Sequence, residues 1–394
     1  MLQIASKVLY IDQSGLLAGG ELNLYDFLRS SQGSASVVLL EDGPFRVLLE
    51  KTGLPVTVLP LGSIDSIRRK AGLASVFRVL PAGMDLRKRL LRITKKADIV
   101  YANSQKAFLL SAISRRGSQP LIWHLHDILV PEHFSKLIRK IAVFAGNRFA
   151  TRIIVNSKAT GAAFVAQGGR ADKVRLIYCG LDPAPFDSIS PQTVASTRAS
   201  ICHAENFLVG VFGRLAEWKG QHVLLEAVST LPEVHVAVVG EAFFGEDPYK
   251  ERLLVRARQP DLAGRVHFLG FRKDIPELMR CVDLVAHTST APEPFGRVIV
   301  EGMLARKPVV ASNAGGAAEI IENDCSGLLT DPGSVAKLSE AIARISQDST
   351  MAQGLAKEGR RRAEELFSLA GMVKGIHNVI EEVAHSLPAE RCTL

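Results

Sequence analysis

The chain has 394 residues, 47% apolar and 22% charged, a composition too rich in apolar residues for disorder and long enough for two cores. No run of ~18 uncharged apolar residues occurs, and the first twenty residues lack the basic start, apolar run and small-residue cleavage site of a secretory signal, so a cytoplasmic protein is expected. The net charge of +8 is unevenly placed: residues 1–182 hold 26 Lys+Arg against 13 Asp+Glu, and residues 183–394 hold 22 against 27.

Continuous apolar runs alternate with helical patterns from the start of the chain. Strands are expected at Lys7 to Ile11, Ser36 to Leu40, Val56 to Leu59, Asp98 to Ala102, Leu121 to His124, Arg152 to Asn156 and Val174 to Ile177. Runs that do not alternate suit parallel strands buried on both faces. Helix patterns lie between them at Glu21 to Ser30, Leu86 to Lys95, Ser104 to Arg115, Phe134 to Phe149 and Ser157 to Gln167. After Leu181-Asp182-Pro183-Ala184-Pro185 a Ser/Pro/Thr-rich stretch reads as a linker. A second α/β series follows, with strands at Phe207 to Phe212, Val234 to Val239, Val266 to Leu269, Asp283 to His287, Pro308 to Ser312 and Gly327 to Thr330. The expected architecture is α/β, two doubly wound Rossmann-like domains facing across a cleft that is the default ligand site. Residues 1–182 form the first domain, 183–205 the linker and 206–367 the second domain; in 368–394 a helix reaches about His385 and a frayed tail follows.

Candidate chemistry appears at four places. Gly19-Gly20-Glu21 sits at a helix start, where glycines let backbone amides approach an anion. It is neither a GxGxxG fingerprint nor a Walker loop, so a plain structural turn explains it equally well. Ile122-Trp123-His124-Leu125-His126-Asp127 places two imidazoles and a carboxylate at a strand end, which suits proton or charge work, a structural histidine, or part of a metal site. No third and fourth ligand is evident, and no metal is expected. Phe212-Gly213-Arg214-Leu215-Ala216-Glu217-Trp218-Lys219-Gly220 puts two cations where phosphates sit at the carboxyl ends of parallel strands. Glu293-Pro294-Phe295-Gly296-Arg297-Val298-Ile299-Val300-Glu301 offers two carboxylates for sugar or ribose hydroxyls, with open amides from Phe295 to Val298.

The basic residues of the first half cluster as Arg68-Arg69-Lys70, Arg87-Lys88-Arg89 with Arg92, Lys95 and Lys96, Arg115-Arg116, and Lys136, Arg139 and Lys140. They suit an anionic membrane surface or acceptor, or are solvated helix faces. Nucleic acid is disfavoured, because no aromatic platform or reader motif accompanies them. Five scattered cysteines without a CxxC pair read as reduced, packed thiols.

Together, the GGE turn, the GRxxxxKG segment, the EPFGxxxxE segment running into a KPVVAS strand and the AGGxxEII turn resemble glycosyltransferase family 4 (group 1), retaining nucleotide-sugar glycosyltransferases with the GT-B fold. The resemblance spans nearly the whole chain. It implies that Arg214 and Lys219 bind the donor diphosphate, aided by amides near Gly19, Gly20, Gly213 and Phe295-Gly296-Arg297-Val298, without a divalent metal or other cofactor. It implies that Glu301 holds the ribose, Glu293 the donor sugar, and Phe271-Arg272 the base. His126, or His124, with Asp127 would contact the sugar or the acceptor. The last helix would cross back onto the first domain. The expected donor is a UDP- or GDP-sugar and the expected acceptor a lipid-linked or other glycan, as in polysaccharide or lipopolysaccharide assembly. The alternatives are a nucleotide-sugar 2-epimerase of the same architecture, a non-catalytic sugar-nucleotide binder and, less favoured, an NAD-dependent dehydrogenase. Lys219→Ala and Glu293→Ala are expected to abolish transfer with the fold nearly unchanged.

Overall fold

The structure is a computed structural model that describes residues 3–61, 80–243 and 245–386. The chain divides into two compact units, one made of residues up to Gly180 together with those from Leu369 onward, the other of Leu181–Ser368.

In the first unit the apolar runs pair as a seven-stranded parallel sheet. Its strands are β1 (Gln3–Asp12), β2 (Gln32–Leu39), β3 (Val56–Val58), β4 (Ile99–Ala102), β5 (Leu121–Leu125), β6 (Arg152–Val155) and β7 (Val174–Leu176), in the order β3-β2-β1-β4-β5-β6-β7. The two-residue period of a strand sends Leu9 and Ile11 to one face with Val100 and Trp123. Val8 and Tyr10 go to the other face, with Tyr101, Ile122 and Ile154. The helices Leu80–Thr94, Gln105–Ser114 and Lys136–Phe149 cover the first face, where Trp123 stacks on Phe108 at 4.3 Å. The helices Gly19–Arg29 and Pro44–Glu50 cover the second, and so does Leu369–His385, which buries Met372, Ile376, Val379, Ile380 and Val383 there.

The second unit is a six-stranded parallel sheet of β8 (Phe207–Phe212), β9 (Val234–Val239), β10 (Val266–Gly270), β11 (Leu284–His287), β12 (Val309–Ser312) and β13 (Leu328–Thr330), in the order β10-β9-β8-β11-β12-β13. Each sheet reverses strand order once, between β1 and β4 and between β8 and β11. A doubly wound sheet binds ligands outside the carboxyl ends of strands at such a point.

The expected linker 183–205 is not one. It holds the helices Ala184–Asp187 and Pro191–Ala199 and is fastened into the second unit. Arg198 donates to the Cys281 carbonyl and to the Asp283 carboxylate, each at 2.7 Å, and Asp187 pairs with Arg360 at 2.6 Å. The division between units falls at Gly180 and Leu181, two residues before the expected boundary. Arg68-Arg69-Lys70, Cys392 and the tail beyond Ser386 lie outside the described residues. Among the described residues Cys179, Cys202 and Cys281 are buried free thiols and Cys325 is half-buried, and no helix is long and apolar enough to cross a membrane.

Candidate functional site

Both switch points gather polar side chains, and each unit's cluster is built from its own strands. In the second unit β8 ends at Phe212, and Gly213, in the left-handed region at φ +129°, turns the chain outward. A Cβ at Gly240, at φ +146°, would fall 1.9 Å from the Gly213 carbonyl oxygen, so this crossing requires glycine. The turn leads through half-buried Arg214 to a single 3-10 turn, Glu217–Lys219. Hydrogen bonds then tie that turn to the loop after β11. The Thr288 hydroxyl donates to the Lys219 carbonyl at 3.0 Å, and the Thr290 amide donates to the Trp218 carbonyl at 2.8 Å.

This stapling brings Lys219 to Glu293. The ammonium nitrogen lies 2.7 Å from Glu293 Oε2 and 4.2 Å from the centre of the Trp218 ring. Ser289 Oγ also donates to Oε2, at 3.1 Å, and His287 Nε2 sits 3.1 Å from it. All three contacts converge on one carboxylate oxygen, in a site where Glu293 is 9% exposed. Burial alone would raise the Glu293 pKa, but the positive Lys219 and the bond from His287 outweigh it and hold the carboxyl far below its ordinary value. The carboxylate is therefore ionised throughout the neutral range.

Glu301 occupies a different part of the same element. The helix Arg297–Leu304 starts at Gly296, in the left-handed region at φ +109°, and Glu301 accepts from Arg297 Nε one turn earlier at 2.9 Å. Phe295 is buried in an edge-on contact with Phe367 at 5.6 Å, so its side chain anchors the loop. Glu293 is fixed from behind by Gly315 and Gly316, whose backbones lie against it; the Gly316 amide donates to the Glu293 carbonyl at 2.7 Å. Phe271 and Arg272 follow β10, two strands from the switch point. Phe271 is 52% exposed, and Arg272 is paired with Asp274, Nε to Oδ1 at 2.8 Å.

In the first unit, β1 ends at the fully buried Asp12, β4 is followed by Asn103 and β5 by His126 and Asp127. Asn103 Nδ2 donates to Asp12 Oδ2 at 2.5 Å and to the Gly20 carbonyl at 3.1 Å, while Asn103 Oδ1 meets His126 Nε2 at 2.9 Å. Gly20 packs under the His126 ring, where a Cβ would come within 3.3 Å of Cδ2. Gly19 is exposed, at the first turn of its helix. Burial pushes the His126 pKa down to about 4, against an opposing pull from Asp127. Burial and the neighbouring Asp12 charge raise that of Glu21.

The two histidines separate clearly. His124 is buried with Nδ1 2.6 Å from the Tyr101 hydroxyl, whereas His126 is half-buried beside Gly20. Their rings lie 3.8 Å apart, partly stacked at 32°. Among the described residues no three or more His, Cys, Asp or Glu side chains form a group that could hold a metal ion.

The structure thus brings Lys219 together with Glu293, and Gly20 with His126. Sequence reasoning missed His287, Ser289, Trp218, Asp12 and Asn103 as partners. The available signal was position, since polar residues ending otherwise apolar strands flank both switch points. This geometry argues against the expectation that Lys219→Ala leaves the fold nearly unchanged, because that change removes the cation beside a buried carboxylate.

Residues 198–362 match the family model for glycosyl transferases group 1, and residues 45–185 match that for Glycosyltransferase Family 4. The Anabaena protein Alr3699/HepE, solved in complex with UDP-glucose, is 40% identical, with a TM-score of 0.84 over 97% of this chain and 100% of that one. The lipopolysaccharide core biosynthesis glycosyltransferase LpsE of Rhizobium meliloti is 32% identical over 178 residues, 45% of this chain and 51% of that protein. Spore coat protein SA of Bacillus subtilis is 31% identical over 224 residues. The chain spans about half the length of the curated relatives it matches.

Proposed function

Since the chain belongs to the group 1 glycosyltransferases and has their GT-B fold, we propose that it moves a sugar with retention of configuration from a uridine diphosphate sugar to a lipid-linked or other glycan acceptor. The Lys219–Glu293 pair at the β8/β11 switch point carries this reading. In it Lys219 leaves the pair to meet the donor diphosphate together with Arg214, and Glu293, still held by Ser289 and His287, turns to the sugar hydroxyls. Bond breaking then places growing negative charge on the diphosphate beside cations already in position, which lowers the barrier without a divalent metal. The choice of uridine is supported by the UDP, UDP-glucose and UDP-with-glucose complexes of the 40% identical Anabaena protein.

Calorimetric titration with UDP, GDP and UDP-glucose, each with and without a chelator, tests the donor. Chelator-insensitive binding of UDP and UDP-glucose over GDP is expected, with at least a tenfold loss of UDP affinity in Glu301→Ala, about 1.4 kcal/mol. Preference for GDP, or binding that a chelator abolishes, contradicts the reading.

On the acceptor side, the helix Lys136–Phe149 exposes Lys136, Lys140, Ile141, Phe144 and Arg148 in one stripe, with Phe144 68% exposed. Lys140 and Arg148 lie one turn to either side of Phe144, so an apolar group is flanked by cations. That pattern suits peripheral contact with an anionic lipid surface at the inner face of a membrane, where each cation contributes about 1 kcal/mol. Flotation with phosphatidylglycerol vesicles is expected to carry the protein at low salt and release it at high salt. The pair Lys140→Glu with Phe144→Ser is expected to lose that binding; flotation unchanged by both salt and the double substitution argues against this face.

A further inference from the structure

The hydrogen bonds at the β1/β4 switch point run in one direction. Burial raises the Asp12 pKa to about 6, and the amides of Gln13 and Ser14, which donate to Oδ1 at 2.6 and 3.4 Å, act against that rise, so the carboxylate is ionised at neutral pH. Asp12 Oδ2 and the Gly20 carbonyl then both face one end of the Asn103 side chain, at 2.5 and 3.1 Å. Two acceptors demand the NH2 group at that end; a reversed amide would set three oxygens against one another. The amide oxygen is thereby aimed at His126 Nε2, 2.9 Å away, and an oxygen there requires Nε2 to carry a hydrogen.

We propose that Asp12 and Asn103 are positioning residues that hold His126 as its neutral Nε2–H tautomer, presenting the Nδ1 lone pair to a sugar hydroxyl. The inference rests on the glycosyltransferase reading for the nature of the ligand, and on this unit's own bonds for the state of the ring. Among the described residues no protein group bonds Nδ1. The backbone of His126 is held separately, through Asn156 Nδ2 donating to its carbonyl at 3.3 Å.

The groups around the ring agree on charge. His124 from β5 lies against it and is itself kept neutral by burial. Burial lowers the His126 pKa and outweighs the opposing pull of the Asp127 charge. Glu21, from the helix that begins beside Gly20, has its own pKa raised by burial and by Asp12. His126 is in this account a hydrogen-bond acceptor and not a cation for the leaving diphosphate, so the positive charge in the reaction falls to Arg214 and Lys219.

Selective 15N labelling of histidine, with His126→Gln to assign the resonance, tests this on the intact protein. The expected spectrum shows protonated Nε2 and unprotonated Nδ1 from pH 6 to 8, with no titration in that range. Asn103→Ala is expected to mix the two tautomers and to lower kcat about tenfold; Asn103→Asp is expected to move the imidazole's titration upward into that range. On adding UDP-glucose or a short alkyl glucoside, movement of Nδ1 with the first identifies a donor hydroxyl and with the second an acceptor hydroxyl. A wild-type Nδ1–H tautomer, a charged ring at pH 7, or a ring spectrum unchanged in Asn103→Ala overturns the positioning role. Movement with neither sugar overturns the ligand role. Failure of the glycosyltransferase reading is separately visible, as absence of UDP-glucose binding by calorimetry with the tautomer signature intact.

Discussion

Lys219→Ala is expected to lower transfer by about 100- to 1,000-fold, the range for removing one preorganised group that offsets transition-state charge. The same change is expected to cost about 3 kcal/mol of stability, because it strands a carboxylate that is taken out of water. Glu293 is 9% exposed, and the Lys219 ammonium pairs with it at 2.7 Å. The pair therefore makes a second, sharper demand. Adding Glu293→Gln to Lys219→Ala is expected to recover much of the stability and none of the activity, since the neutral amide no longer needs a counter-charge. Urea unfolding of the four proteins of that cycle measures the coupling directly. Acid behaviour supplies an independent sign. A carboxyl whose folded pKa lies below its unfolded one contributes stability above the unfolded value, and loses it as pH falls through the folded value. In Lys219→Ala the loss from this carboxyl is expected to be smaller and to be complete at a higher pH than in the parent. A variant of unchanged melting profile at both neutral and acid pH would show that the pair contributes nothing to the fold.

Gly315→Ala is expected to be as damaging although residue 315 carries no side chain that could touch a ligand. Gly315 sits at φ +63°, and a Cβ there would lie 2.2 Å from the carbonyl oxygen of Glu293 and 2.8 Å from its amide nitrogen. The left-handed backbone alone costs a non-glycine residue about 1–2 kcal/mol. The overlap cannot be relieved by turning a side chain, since the obstructing atoms are backbone, so the Glu293 loop must move away. Loss of sugar transfer with a stability decrease of about 3 kcal/mol or more is the expected result. Gly333→Ala is the matched control. It has a similar φ of +76° with no atom within 4 Å of the added carbon, so only the backbone term applies and activity is retained. Equal effects of the two substitutions would remove the argument from crowding.

Much of the architecture could be read from the chain because parallel strands buried on both faces leave uninterrupted apolar runs such as Leu121–Leu125 and Phe207–Phe212. Lys219 and Glu293 stood out as types at suggestive spacings, but that they pair with one another did not, since 74 positions separate them. Their meeting depends on β8 and β11 being neighbours, which strand periodicity does not specify. Asp12 and Asn103 are 91 positions apart and meet through the adjacency of β1 and β4. The misread linker shows a different limit. Its Ser and Pro residues are helix-start signals there: Ser190 Oγ accepts from the Thr193 amide and Pro191 takes the first helical position. Composition alone does not tell a capped short helix from a loose connection, whereas Arg198 bonding to Cys281 and Asp283 decides it.

The helix Leu369–His385 carries an implication for how the protein is made. The second unit is one unbroken stretch, its ends joined where the Leu181 amide donates to the Phe367 carbonyl at 2.9 Å, so it holds all its own strands once residue 368 has been synthesised. The first unit is split, and one face of its sheet keeps Tyr10, Tyr101, Ile122 and Ile154 without the cover of Met372, Ile376 and Ile380 until the last helix arrives. On the ribosome the earlier-born half is thus the later to finish. For the whole time that the second half is being translated, the first must wait with an apolar surface open to chaperones, and a stalled or truncated message leaves it in that state.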